Sequence, residues 1–484
     1  MHPRAKSLLK TSVRWGIAVL GVWFVVRNIS LHDRVLVTDP ATGRPVAVRL
    51  LEPADESARS FVVQDPNAPA GARLVVPREQ LVVKPELDQV DVRLPGSEAP
   101  RRMDVLGLEV SDAGRRDQWP LVVTEPRNLV MKFLGRYHAD RPVVVPPGHV
   151  AGAYQVTLEY PLIERGLVTV VRRADATFLL LAVAVMGFNY ILPPIRWRRL
   201  MQPLDIHLSL GRAFSLNMVG AFYNTFMPGS TGGDLLKAYY ASKQTPHRTR
   251  AVMSVLIDRV IGLMALVLLG GSMAAWQASR PHPPGDPVAE RCLQVAVGSA
   301  AIIAAFCVGL VVFYVPPVRR YSGFDFVLRR LPMQKQVMNA VQALEMYGRR
   351  PWAIVEAILI SLPVHATTVV SASLAGRAFN LPLTPDYYWV VVPVVTLAGA
   401  LPVSPQGAGV MEFFAYILMR RQGATVGQAV LLTLSIRLTA IFWNLLGGLV
   451  VLRGGFHAPT DTEQRELDQD VPPPARGSAA QMPT

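Results

Sequence analysis

The stretch NTFMPGSTGGDLLKAYY, Asn224 to Tyr240, sets the reading of the whole chain. Pro228, Gly229, Gly232 and Gly233 break it like a loop, and Asp234 and Lys237 then open what reads as a new helix. Hydrophobic sequence lies on both sides. Basic residues flank it too: Arg196, Arg198 and Arg199 before, Lys243, Arg248 and Arg250 after. Under the positive-inside rule both flanks read as cytoplasmic. Leu208–Gly233 is therefore expected to dip into a membrane and return, with the Pro-Gly section as its turn. Non-helical backbone is tolerated at that depth only where protein or a water-filled cavity satisfies it.

Composition and run length both imply the membrane. The 484 residues are 51% hydrophobic and 17% charged, whereas soluble chains are about a quarter charged. Spanning helices need about 20 mostly apolar residues. Ala176–Ile195, Ala251–Trp276, Leu293–Val315, Trp352–Ala375 and Val426–Leu452 meet that requirement. The shorter run Trp15–Val26 follows Arg4, Lys6, Lys10 and Arg14 and lacks a small-x-small cleavage site, so it reads as an uncleaved signal anchor. The net charge of +14 sits beside the apolar runs, which argues for membrane flanks rather than nucleic acid. Cys292 and Cys307 are too few for a disulfide or thiolate metal framework.

The expected fold is an α-helical polytopic membrane protein with two broken, re-entrant segments and a small extracytoplasmic β-rich domain after the first helix. Its parts are a cytoplasmic N-terminus and anchor (1–31), the β-rich domain (32–173), the membrane core (174–453) and a disordered cytoplasmic tail (454–484). Residues 32–173 alternate short β-branched runs with Pro, Gly and Asp turns, as in a small all-β domain. They contain no catalytic triad, metal-ligand cluster or phosphate loop. A structural or partner-binding module is the expectation, with a possible extracytoplasmic partner. In the core, Trp197 reads as an interfacial anchor, Tyr239 and Tyr240 as interfacial residues, and Met333–Tyr347 as a helix lying on the interface.

A second broken segment, WVVVPVVTLAGALPVSPQGAGVMEFFAYILM, runs from Trp389 to Met419. Like the first, it combines Pro and Gly (Pro402, Pro405, Gly407, Gly409) with an acid just inside the following helix, Glu412. The charge pattern makes the two enter from opposite faces, although Arg420 and Arg421 then fall on the outer side. Paired Gly/Pro-interrupted segments point to a transporter's midplane site.

These residues also carry a family resemblance. RWRRLM at Arg196–Met201, FYNTFMPGSTGGDLLKAYY at Phe222–Tyr240, IDRVIGL at Ile257–Leu263 and PVSPQGAGVMEFF at Pro402–Phe414 resemble the flippase-like membrane family, in order and in spacing. That family includes the transmembrane domain of lysylphosphatidylglycerol synthases and uncharacterised relatives. The resemblance runs from about Ala176 to Leu452. It implies a lipid-translocating or lipid-binding core in the cytoplasmic membrane. The bifunctional synthases carry a soluble aminoacyl-transferase domain after the membrane part; here a short polar tail follows, so the transferase activity is not implied.

A charge at a helix centre costs roughly 2.5–3.5 kcal/mol on insertion scales, so charges inside apolar runs are expected to meet partners or line cavities. The candidate substrate-binding residues are Asn217, Asn224, Gly232, Gly233, Asp234, Lys237, Asp258, Arg259, Gly407, Gly409, Glu412 and Arg437. Arg259 is expected either at a lipid phosphate or in an interhelical bridge, and Arg437 at the site or on a structural acid. Asp258 and Arg259 are neighbours pointing about 100° apart, so they need not pair with each other. Asp234 and Glu412 stand where helix N-termini offer unpaired N–H groups to phosphate, or act as ordinary caps. Asn217 and Asn224 line the same cavity or make interhelical hydrogen bonds. His365 reads as a satisfied packing residue. No catalytic, metal-binding or cofactor set is expected, and no GxxxxGK[ST] is present to bind nucleotide.

The leading expectation is a translocase-like protein of the inner membrane with both termini cytoplasmic, binding or moving a phospholipid or lipid-linked substrate with an anionic headgroup. The alternatives are a membrane enzyme acting on lipid-linked substrates, for which no donor site is found, and a scaffold working through its β-rich domain.

Overall fold

The computed structural model describes residues 29–39, 42–65, 72–83, 89–92, 100–111, 120–125, 142–146, 162–226, 232–282, 287–322, 334–401 and 407–454, together with Trp23 and Val26. Most of the anchor run Trp15–Val26, the tips of both broken segments and the C-terminal tail lie outside the described residues.

An antiparallel sheet region comes first. Its strands are β1 (Arg34–Thr38), β2 (Pro45–Arg49), β3 (Ser60–Gln64), β4 (Arg73–Pro77), β5 (Leu81–Val83), β6 (Gln89–Val92), β7 (Arg101–Glu109), β8 (Leu121–Thr124), β9 (Val143–Val145) and β10 (Ile163–Glu164). The main sheet runs β10-β1-β5-β7-β8-β9, with β2 on β1 and β6 on β7; β3 and β4 form a separate hairpin. In β1, buried Val35 and Val37 alternate with partly exposed neighbours, the period-two signature of a half-buried strand. Phe61, Leu81, Leu108 and Leu121 fill the core between these strands.

The chain enters and leaves this region at one point. β1 pairs with β10 (Arg34 opposite Glu164), and the two side chains form an ion pair. Asp33 accepts hydrogen bonds from the Gly166 N–H at 2.8 Å and from Arg165 at 3.1 Å. Burial pushes the Asp33 carboxyl up, but bonds from Gly166, Thr169 and Arg165 and the charge of Arg165 outweigh it and hold it below its usual range.

Helices follow: α1 (Leu167–Arg172), α2 (Ala176–Met186), α3 (Leu192–Met201), α4 (Leu210–Phe226), α5 (Gly232–Ser242), α6 (Arg248–Ser279), α7 (Pro287–Tyr314), α8 (Pro316–Tyr321), α9 (Gln334–Gly348), α10 (Trp352–Ala378), α11 (Tyr388–Ala400), α12 (Val410–Met419) and α13 (Val426–Gly454). Ala176–Leu204, Arg248–Ser279, Val288–Tyr314, Trp352–Ala378 and Val426–Arg453 are 27 to 32 residues long and apolar enough to cross a membrane. At 1.5 Å per residue each exceeds the roughly 30 Å of hydrocarbon. The protein is thus a multi-span helical membrane protein preceded by an antiparallel β-sheet region. α9 packs against α6 and the turn after α3, with Tyr347 fully buried and its hydroxyl 2.5 Å from the Leu200 carbonyl.

The broken segments form two helical hairpins. In α4–α5 the glycines decide the packing: a Cβ on Gly233 would overlap the carbonyl of Gly220. In α11–α12, Gly407 and Gly409 take φ of +70° and +82°, a backbone that L side chains rarely adopt, and Gly407 lies against the Gly399 backbone. The long α13 touches both hairpins. Gly447 rests on the Met218 backbone of α4, and Thr433 and Arg437 meet Glu412 of α12.

Candidate functional site

Buried polar groups converge where α3, α4, α5, α6 and α10 meet. On α3, Arg196, Trp197, Leu200 and Met201 share one buried face, at helical spacing. Arg196 donates through Nε to Asp258 Oδ1 at 2.8 Å and through Nη1 to Ser361 Oγ at 2.8 Å. The Lys237 ammonium stands 3.3 Å from Asp258 Oδ2 and 3.0 Å from Asn217 Oδ1, and lies 4.0 Å from the centre of the Trp197 ring. Trp197 in turn donates to Ser254 Oγ at 3.1 Å. Lys237 is only 4% exposed and Asp258 7%.

One helical step away, Arg259 forms an ion pair with Asp234 of α5. Neighbouring positions on α6 therefore serve different partners, as their angular offset requires. Asn224 accepts the Gly233 N–H at 2.8 Å, tying the first turn of α5 back to α4. Asn217 Nδ2 donates to the Ala213 carbonyl at 2.9 Å, which fixes its oxygen toward Lys237. A half-open cavity of about 170 Å³ opens here, lined by Asn189, Tyr190, Asn217, Asn224, Asp234 and Lys237 among others. Tyr190 closes the side toward α13, its hydroxyl 2.7 Å from Asn444 Oδ1.

The second hairpin is built differently. Glu412 Oε2 accepts the Gly409 N–H at 2.7 Å, so α12 caps itself. Both carboxylate oxygens also take Arg437, at 2.6 and 3.2 Å, and Oε1 accepts the Thr433 hydroxyl at 2.9 Å. Here the acid stands on an interhelical bridge and a cap. Gly407, Gly409, Glu412 and Arg437 do not line the α4–α5 cavity.

The sequence reading is corrected at several residues. Trp197 is wholly buried under Lys237 rather than anchored at an interface, because its ring is the floor on which the ammonium rests. Tyr239 and Tyr240, read as interfacial, are 4% and 8% exposed and pack in the core beside α3 and α6. Arg196, read only as a flank, is the closest cation to Asp258. His365 is held by the Gly262 carbonyl at 2.8 Å, a satisfied packing residue. Ser361, Ser254, Asn189 and Tyr190 also belong to the site, and as single polar groups within apolar runs they carry no signal in residue order. The burial of Arg196 was discoverable, since it repeats in helical register with Leu200 and Leu204 on an apolar face.

Residues 164–448 match the family described as the lysylphosphatidylglycerol synthase TM region. The chain is also similar to the UPF0104 membrane protein PH1989 of Pyrococcus horikoshii, 22% identical over 310 residues that cover 58% of this chain and 88% of that protein. The family match contains both hairpins and every charged residue of the α4–α5 cluster. The chain belongs to the lysylphosphatidylglycerol synthase TM region family.

Proposed function

We propose that this protein is a lipid translocase of the cytoplasmic membrane and that the α4–α5 cavity receives an anionic headgroup. One observation carries the reading. Arg196, Lys237 and Arg259 face Asp234 and Asp258, three cations against two carboxylates, in a cluster that is buried at Arg196, Lys237 and Asp258 and borders a polar cavity. An uncompensated buried charge is costly, so an anion entering beside Lys237 gains from it. Helix lengths support a re-entrant geometry. With 17, 11, 13 and 10 residues, α4, α5, α11 and α12 reach only about 15–25 Å each, too short to cross alone but long enough for hairpins that end at mid-depth. Arg198 and Arg199 stand in the last turn of α3, Arg453 in the last turn of α13 and Arg250 in the first turn of α6, which favours cytoplasmic placement of those helix ends and an extracytoplasmic sheet region.

Native mass spectrometry of lipids retained on the purified protein tests the site. Anionic phospholipid is expected on the wild type and not on Lys237→Gln. Equal retention of anionic and zwitterionic lipid by both proteins would remove the cavity from consideration.

A further inference from the structure

The charge count has a second consequence at the same cavity, and it rests on the reading just given. Each carboxylate of the cluster has an arginine: Asp258 has Arg196 and Asp234 has Arg259. Arginine stays protonated at any accessible pH. Lys237 is the one cation in the set able to release its proton, and also the cation that lines the cavity. When it does so, two neutral ion pairs remain and the cluster carries no net charge. We propose that Lys237 takes up a proton as the anion enters and gives it back as the anion leaves, so that the site binds one proton with each monoanionic phosphodiester.

The geometry accommodates both states. The neutral amine keeps two N–H groups, enough to donate to Asn217 Oδ1 and Asp258 Oδ2, at 3.0 and 3.3 Å, and rests on the Trp197 ring, which tolerates a neutral group as well as a cation. The step is a simple proton transfer: the amine lone pair takes a proton from water reaching the half-open cavity, and the ammonium returns it. The groups packed around Lys237 leave few rivals. α3 contributes Arg196, α6 contributes Asp258 and Arg259, and α5 itself contributes Asp234. α4 contributes the uncharged Asn217. Beyond them lie Tyr190, which lines the same cavity, Tyr347 on α9, and His365 on α10, which is bound to the Gly262 carbonyl. Because the binding event sums to zero charge, the membrane potential would neither drive nor oppose it. A proton gradient would drive it.

The test uses the full chain in nanodiscs of zwitterionic phosphatidylcholine and two probes that keep a single negative charge from pH 5 to 9. One is pyrene-labelled phosphatidylglycerol; the other is dimethyl phosphate, a soluble phosphodiester. Affinity for the bound probe should fall roughly tenfold per pH unit across the range in which the free amine is neutral, with about one proton taken up per anion in weakly buffered solution. Lys237→Arg, whose charge is fixed, should flatten the profile and abolish the uptake. Dependence with the lipid alone identifies the headgroup of a membrane lipid as the ligand; the same dependence with both probes extends it to free phosphodiesters. A wild type that binds with no pH dependence and no proton uptake overturns the proposal, as does a Lys237→Arg profile as steep as the wild type, which would move the titration to His365 or another group. Failure of both probes to bind at any pH would sink the headgroup reading itself, and the proton linkage with it.

Discussion

The two broken hairpins use similar residues to opposite ends. Each combines glycines, a turn and an acid in the first turn of the following helix. In α11–α12 the acid satisfies everything near it: Glu412 caps its own helix, holds Arg437 and accepts from Thr433. In α4–α5 the acid Asp234 leaves the cap to Asn224 and pairs with Arg259, while Lys237, one turn further, shares Asp258 with Arg196. One hairpin closes its electrostatics and the other leaves a positive surplus beside a cavity. Similar local sequence thus gives a structural joint in one place and, in another, the cavity we propose as the headgroup site, and the difference lies in what the neighbouring helices supply.

Substitutions can break that contrast. The largest effect is expected at Glu412→Gln, which deprives the buried Arg437 guanidinium of its carboxylate and should cost about 3–5 kcal/mol of stability. An SDS-unfolding titration reads it, and adding Arg437→Gln should recover much of the loss. If Glu412→Gln is as stable as the wild type, the second hairpin is not the structural joint described here.

Gly233→Leu comes next, because a side chain there must displace the Gly220 carbonyl. A loss of about 3 kcal/mol, near the top of the overpacking range, is expected, together with loss of anionic-lipid retention as α5 moves off α4. Retained lipid at wild-type stability would mean that the glycine contact is not needed.

Lys237→Met sharpens the contrast from the other side. Asp258 keeps Arg196, so stability should change by only about 1–2 kcal/mol, of either sign, since a surplus buried charge is removed. Anionic-lipid affinity should nevertheless drop by about tenfold or more, the equivalent of roughly 1.4 kcal/mol. A variant that unfolds while its surviving fraction binds normally would make Lys237 a structural ion.

The smallest effect lies outside the helices. Asp33 is held below its ordinary range, so its contribution is complete above the unfolded value near 3.8 and is lost as pH falls through the lower folded value. Acid unfolding of the sheet region below about pH 4 should therefore be less steep in Asp33→Asn. Identical acid profiles would show that the clasp adds no stability.

Much of this was legible from residue order. Run lengths gave the spans, and clustered Pro and Gly marked both breaks, because together they remove helix hydrogen bonds and favour turn backbone, which the single Pro363 inside α10 does not. The candidate residues Asn217, Asn224, Asp234 and Lys237 do meet at one cavity. What sequence alone could not supply was partner choice. Asp258 meets Arg196 across 62 positions of chain, and Glu412 meets Arg437 across 25, distances over which local pattern carries no information. Arg196 was obscured further by Arg198 and Arg199, since a charge rule counts all three alike while a helix turns only one of them inward.

The closure between β1 and β10 has a consequence for how such a protein is assembled. Arg34 and Glu164 are 130 positions apart in sequence yet face each other across one strand pair, and the family match begins at residue 164, where that pair ends. Seen from the helices, everything between these residues enters and leaves through a single doorway. Chain-closure cost grows only slowly with length, about 0.6 kcal/mol per doubling, so the size of what hangs from that doorway matters little to the bundle beneath. The sheet region has the architecture of a graft, joined to the membrane part where its first and last strands pair.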